Sequence, residues 1–107
     1  MSFLEISRYK KLFIFVLIFS NSIIADDKKL LILGDSISAG FGIKESQNWT
    51  NLMKSSFSKE GKSLKIINSS ISGDTTSGGL SRISRDLNTY EPDFVLVELG
   101  GNDALRG

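Results

Sequence analysis

Three short polar segments of this 107-residue chain hold residue types that could carry out acyl transfer. Gly34-Asp35-Ser36 follows an apolar run at residues 30–33. Gly73 lies in a segment rich in glycine, serine and threonine at 69–79, and Gly100-Gly101-Asn102-Asp103 follows a second apolar run at 94–99. A serine that attacks a carbonyl carbon puts negative charge on the carbonyl oxygen, and that charge needs hydrogen-bond donors already in place. Ser36 is the candidate nucleophile. Its own N–H, the N–H of Gly73, which no side chain shields, and the side-chain NH₂ of Asn102 are the candidate donors. Alone, Gly34-Asp35-Ser36 could be a turn that satisfies its own backbone groups. The two later segments shift the reading to chemistry.

Each segment needs an element to deliver it. Residues 30–33, four consecutive apolar side chains after a charged stretch, read as a strand buried on both faces, of the kind found inside a parallel sheet. Residues 48–59 place Trp49, Leu52, Met53 and Phe57 on one helical face, with Asn48 as N-cap and Gly61 as the stop. Trp49 reads as a core residue rather than a substrate-stacking one. A second strand is predicted around 64–67. Beyond it, Thr75 or Thr76 caps a helix with Leu80, Ile83 and Leu87 inward and Arg82, Arg85 and Asp86 outward, ended over 88–93 with Pro92 barring continuation. Residues 94–99 are the third strand. Glu98 within it reads as a hydrogen-bonding group under a covering helix. Strands alternating with helices imply right-handed crossovers and a parallel sheet. With spatial order second, first, third, all three loops meet at the carboxyl edge, starting about 5 Å apart on either side of Ser36.

Composition narrows the chemistry. The chain has no cysteine and no histidine, which removes thiolate sites, thiol nucleophiles and the commonest metal ligand and general base. Arg8, Lys10 and Lys11, the apolar run at 12–19 and the small residues up to Ala25 have the layout of a secretory signal peptide, residues 1–25, cleaved after Ala25. The apolar run is short for a stable membrane span. The export route points to a periplasmic or secreted protein consisting of residues 26–107. That remainder holds ten basic and eleven acidic residues, so no basic surface is available for a nucleic acid.

Two rival chemistries fail on spacing. Gly73 and Gly78 have the separation of a P-loop, but Gly79-Leu80 stands where Lys and Ser/Thr are required. A receiver-type acceptor aspartate would need an acidic cluster and a later lysine, and only Asp35 is present at that strand end.

The segments GDSISAG at 34–40, SISGDT at 70–75 and GGND at 100–103 resemble, in order, the first three sequence blocks of the SGNH (GDSL) hydrolases. The flanking residues look closest to the periplasmic acyl-CoA thioesterase/lysophospholipase/arylesterase branch. Thr50 departs from it, standing where that branch often has proline. The resemblance implies a three-layer α/β/α, flavodoxin-like sheet of which three strands are present, and Ser36 as nucleophile. It places the Ser36 N–H, the Gly73 N–H and Asn102 in the oxyanion hole, with Asp35 and Asp103 supporting the loops. It implies small acyl ester or thioester substrates, no metal and no cofactor. The family's Asp-x-x-His pair has no counterpart in the sequence, so residues 26–107 are expected to be the amino-terminal part of a longer domain and inactive alone. The alternative is a non-catalytic relative that binds acyl or acetyl ligands.

Overall fold

The computed structural model describes residues 27–107. The expected signal peptide, residues 1–25, lies outside the described residues. Three strands, β1 (Lys28–Gly34), β2 (Leu64–Asn68) and β3 (Phe94–Glu98), form one parallel sheet in the order β2-β1-β3. Among the described residues four α-helices accompany them, α1 (Ser36–Ala39), α2 (Trp49–Lys59), α3 (Thr76–Tyr90) and α4 (Gly101–Arg106), with a 3-10 turn at Glu45–Gln47. The crossover from β1 to β2 through α2 and the one from β2 to β3 through α3 run in opposite directions across the sheet, and with the right-handed sense of parallel βαβ units this puts α2 and α3 on opposite faces and makes three layers.

β1 is central because it is the most apolar strand and can be covered on both faces. Leu30 to Leu33 are all buried, Leu31 and Ile32 completely. The strand begins two residues before the apolar run. Lys28 and Lys29 pair with Leu64 and Lys65 of β2, and Asp93, just before β3, accepts from Lys29 N at 2.8 Å and faces Lys28 Nζ at 3.6 Å. Backbone pairing and this carboxylate anchor hold two lysines in a strand that hydropathy alone would end at Leu30.

α2 starts where expected, with Asn48 Oδ1 accepting from Thr50 N at 3.1 Å. The face it buries differs from the predicted stripe. Thr50 is buried, Trp49, Met53 and Phe57 are half-buried, and Leu52 is 55% exposed. The first turn sets this rotation: Asn48 Nδ2 donates to Ser38 O at 3.0 Å, and Asn68 Nδ2 reaches Thr50 Oγ1 at 3.5 Å.

α3 carries the larger correction. Thr75 caps it, Thr75 Oγ1 accepting from Gly78 N at 3.2 Å, and it continues through Tyr90. Arg82 and Asp86, expected outward, are buried with Gly79 against the sheet, whereas Leu80 is 76% exposed. The Arg82 guanidinium faces backbone oxygens at the end of β1 and just past β2. Its Nη1 donates to Ser69 O and its Nη2 to Gly34 O at 3.4 Å. Burial by itself would raise the Asp86 carboxyl. Hydrogen bonds from Ser69 Oγ (2.5 Å) and Arg85, with the charges of Arg85 and Arg82, outweigh it and hold the group below the usual aspartate value.

Two other carboxyls are depressed in the folded state. Asp93 is held down first by the Lys29 N–H, and Asp103 first by the Thr76 hydroxyl and then its N–H. With folded values below unfolded ones, these groups contribute stability above the ordinary aspartate pKa of about 3.9 and lose it as pH falls through the folded values. The melting temperature is therefore expected to be level from about pH 7 to 5 and to drop below about pH 4. Asp86→Asn should lower it at pH 6 and flatten the acid slope. Thermal melts from pH 7 to 2.5 check this, and a wild-type curve that stays level to pH 3 would contradict it.

Candidate active site

The three polar segments converge at the carboxyl edge. Asp35 is the N-cap of α1, its Oδ1 accepting from Ile37 N at 3.0 Å. The segment behind Ser36, expected as loop, is thus one short helix. Ser38, at its third position, is fully buried. Its N–H and Oγ donate to Glu98 Oε1 of β3 at 3.2 and 2.7 Å, and its carbonyl accepts from Asn48 Nδ2 and from Asn68 Nδ2, the latter at 2.7 Å. Side chains from β2, β3 and the start of α2 therefore clamp α1 through one serine. The helix places Ser36 at its first position, half-buried. Neither its N–H nor its Oγ has a hydrogen-bond partner among the described residues.

The segment after β2 stays tied to β1 past the strand end. Ser69 N donates to Ile32 O at 2.8 Å and Ile71 N to Gly34 O at 3.0 Å. This brings Gly73 alongside the Ser36 turn. Gly73 has φ +81°, a conformation that L side chains rarely adopt, so any other residue there would be strained. Its carbonyl accepts from Arg106 Nη2 at 2.9 Å, while its N–H has no acceptor among the described residues.

Gly100-Gly101-Asn102-Asp103 opens α4, a helix that sequence periodicity did not suggest because it spans only six residues. Asn102 Nδ2 donates to Asp74 O at 2.9 Å and lies 3.5 Å from Asp35 Oδ2. Asp103 accepts from Thr76 N at 2.9 Å and from Thr76 Oγ1 at 2.7 Å, tying α4 to the first turn of α3. Asp35, Ser36, Gly73, Asn102 and Asp103 are thus gathered at one sheet edge. Lys44 is exposed.

Sequence reasoning missed Arg82, Asp74 and Asp86, which lie under the site as an ion network. Arg82 Nη2 is 2.9 Å from Asp74 Oδ2 and its Nη1 3.5 Å from Asp86 Oδ2, with all three side chains largely buried. A signal was present: Gly79, Arg82 and Asp86 recur at i, i+3 and i+7, the same helical period as the apolar stripe. Among the described residues no cluster of three or more His, Cys, Asp or Glu could hold a metal, and no helix is long and apolar enough to cross a membrane.

Comparison with known proteins agrees with this fold. The sequence profile described as the GDSL-like lipase/acylhydrolase family matches residues 32–107. An arylesterase of Vibrio mimicus is 48% identical over 80 residues, covering 75% of this chain and 40% of that protein. Thioesterase 1/protease 1/lysophospholipase L1 of Escherichia coli K12 is 41% identical over 107 residues, all of this chain and 50% of that protein. The crystal structure of the psychrotrophic esterase EstA from Pseudoalteromonas sp. superposes with a TM-score of 0.71 at 44% identity, covering 76% of this chain and 44% of that one. The chain thus spans half or less of the length of these relatives. With the profile matched from the second half of β1 through β2, β3 and the loops that follow each strand, the chain belongs to the GDSL-like lipase/acylhydrolase family.

Proposed function

We propose that this chain carries the nucleophile and oxyanion hole of a serine ester hydrolase acting on small acyl esters or thioesters through an acyl-serine intermediate. The observation that carries this reading is the donor accounting at α1. Asp35 and Glu98 occupy the N–H groups of Ile37 and Ser38, which leaves the Ser36 N–H uncommitted beside an uncommitted hydroxyl. The Gly73 N–H is in the same condition across the sheet edge. The names of the relatives, arylesterase and thioesterase/lysophospholipase, point the same way.

In this scheme Ser36 Oγ bonds to the carbonyl carbon as its proton passes to a base, and the carbonyl π electrons move onto oxygen. The Ser36 N–H, the Gly73 N–H and the second Asn102 N–H, held only by its 3.5 Å contact to Asp35, receive that charge. Collapse expels an alcohol or thiol, which takes the proton. Water then repeats the sequence on the acyl-serine and frees the acid. Asp35 and Asp103 play supporting parts, capping α1 and joining α4 to α3. The 107 residues contain no histidine, so the base is proposed to come from outside them, in an Asp-x-x-His pair of the kind the family resemblance implies. A periplasmic or secreted site of action belongs to the same proposal and rests on residues 1–25.

The test uses the protein translated from the whole reading frame, with p-nitrophenyl acyl esters. Enzyme-like hydrolysis is expected, and Asn102→Ala should lower kcat about a hundredfold or more, the usual effect of deleting one oxyanion donor. Because Asn102 also bonds Asp74 O, the melting temperature should fall by a few degrees, as for loss of about 1 kcal/mol. Wild-type protein without hydrolysis would sink the reading. Unchanged kcat in Asn102→Ala would remove Asn102 from the oxyanion hole.

A further inference from the structure

We infer that Arg82 is a positioning residue that fixes the spacing of the Ser36 and Gly73 loops, and through it the geometry of the oxyanion hole. This rests on the hydrolase reading above. A guanidinium presents five N–H donors in a rigid planar fork, so it can hold several acceptors at set angles, which a lysine ammonium cannot. Arg82 uses the fork on groups belonging to both loops. Nε and Nη2 reach Asp74 Oδ2 at 3.0 and 2.9 Å, and Nη2 also reaches Gly34 O at 3.4 Å. Nη1 donates to Ser69 O, to Ser69 Oγ at 2.9 Å and to Asp86 Oδ2 at 3.5 Å.

Two of these contacts lie one or two residues from a proposed donor. Gly34 precedes Ser36 by two positions, and Asp74 follows Gly73 directly. Asp74 O is also the acceptor that holds Asn102 Nδ2. The three donors thus come from three loops, and one side chain references all of them. The packing is built around this reach: a Cβ at Gly78 would overlap Asp74 Oδ1, so glycine there lets the carboxylate turn in toward the guanidinium.

Stability gives a weaker account of the network. Buried ion pairs contribute little beyond what apolar packing of the same volume would, because desolvation offsets their attraction. The Arg82, Asp74 and Asp86 side chains are only 8%, 12% and 3% exposed. What the network supplies and apolar packing could not is a fixed distance between two backbone turns. Misplacing reacting groups by about 1 Å can cost a hundredfold in rate.

The experiment compares wild type, Arg82→Lys and Arg85→Gln in the protein from the whole reading frame. Active sites are titrated with a phosphonate so that kcat refers to reactive serines only. Arg82→Lys keeps the charge and loses the fork. Its kcat per titrated site is expected to fall at least about 30-fold with KM within threefold, and affinity for an alkyl boronic acid, which forms a tetrahedral adduct, should fall in parallel. Arg85 touches only Asp86 in this network and is 70% exposed, so Arg85→Gln should keep kcat within about twofold even if it melts earlier. If Arg82→Lys does not fold, Asp74→Asn carries the test, with a loss of about fivefold or more in kcat per titrated site and KM unchanged. Unchanged kcat per site in the Arg82 variant, or in Asp74→Asn where that is the only one folded, overturns the inference while leaving the hydrolase reading intact. A wild type with neither turnover nor a titratable serine overturns both.

Discussion

Ser36→Ala, made in the protein from the whole reading frame, should abolish labelling by a fluorophosphonate and lower ester turnover by roughly 10⁴- to 10⁶-fold, leaving the residual rate of binding and oxyanion stabilisation alone. The size of the effect follows from how few serines can substitute. Ser38 Oγ is committed to Glu98 at 2.7 Å and its residue is fully buried, so it can neither reach an acyl group nor give up its proton without breaking the clamp on α1. Ser70 Oγ is buried as well. Ser72 is exposed beside Gly73, on the loop proposed to supply a donor rather than at the end of the central strand. Ser36 combines a hydroxyl and a backbone N–H with no partner among the described residues, partial exposure and a place at the end of the central strand. Mass spectrometry of the labelled protein checks the site, and label retained at Ser38 or Ser72 in Ser36→Ala would sink the assignment. The substitution removes one oxygen of a half-buried residue that bonds nothing among the described residues, so the melting temperature should stay within about two degrees of wild type. Loss of activity and loss of fold are therefore separable.

The same accounting explains what could be read in the sequence. Order and pairing of the strands were legible because β1 is an unbroken apolar run and the two crossovers leave few ways to cover it. The site segments were legible because each stands at a strand end, where chain direction alone decides which loops meet. The facing of α3 was not. Leu80, Ile83 and Leu87 form a regular stripe, and hydropathy assigns such a stripe to the interior. In the structure Leu80 and Ile83 line a groove of about 300 Å³ with Val97 and Leu99, while Gly79 packs on Leu33 and Leu99 and Arg82 and Asp86 are buried at the ends of β1 and β2. Two sets of residues with one period compete for the sheet, and the winner is decided by backbone oxygens at Gly34 and Ser69. No hydropathy pattern contains those acceptors. The helix α1 was hidden for a related reason: beside its local Asp35 cap, four residues are clamped by Asn48, Asn68 and Glu98, the last sixty positions after Ser38.

Residues 1–107 expressed alone should hydrolyse p-nitrophenyl butyrate on the order of 10⁴-fold more slowly than a hydrolase with a complete proton-transfer apparatus. A serine hydroxyl is a weak nucleophile until a base within hydrogen-bond reach accepts its proton. Here nothing hydrogen-bonds Ser36 Oγ among the described residues, and histidine is absent from the sequence. Lysine can serve elsewhere, but no lysine follows Lys65, and Lys44 is exposed. Asp35 is already occupied, one oxygen capping α1 and the other facing Asn102. The carboxylates of Asp74 and Asp103 are bound by Arg82 and Thr76. Every acidic group near the site is engaged in holding it together. A structural consequence accompanies the kinetic one. Among the described residues β3 pairs only with β1, and Phe94, Val95 and Val97 are 56%, 42% and 60% exposed. An apolar strand with one free edge is a template for pairing with another copy, so this polypeptide should self-associate, visible by light scattering in line with size exclusion. A monomer that melts cooperatively and turns over the ester at enzyme-like rates would overturn both halves of the argument. A monomer that melts cooperatively and is inert would overturn only the second, and would leave the missing base as the sole reason for silence at Ser36.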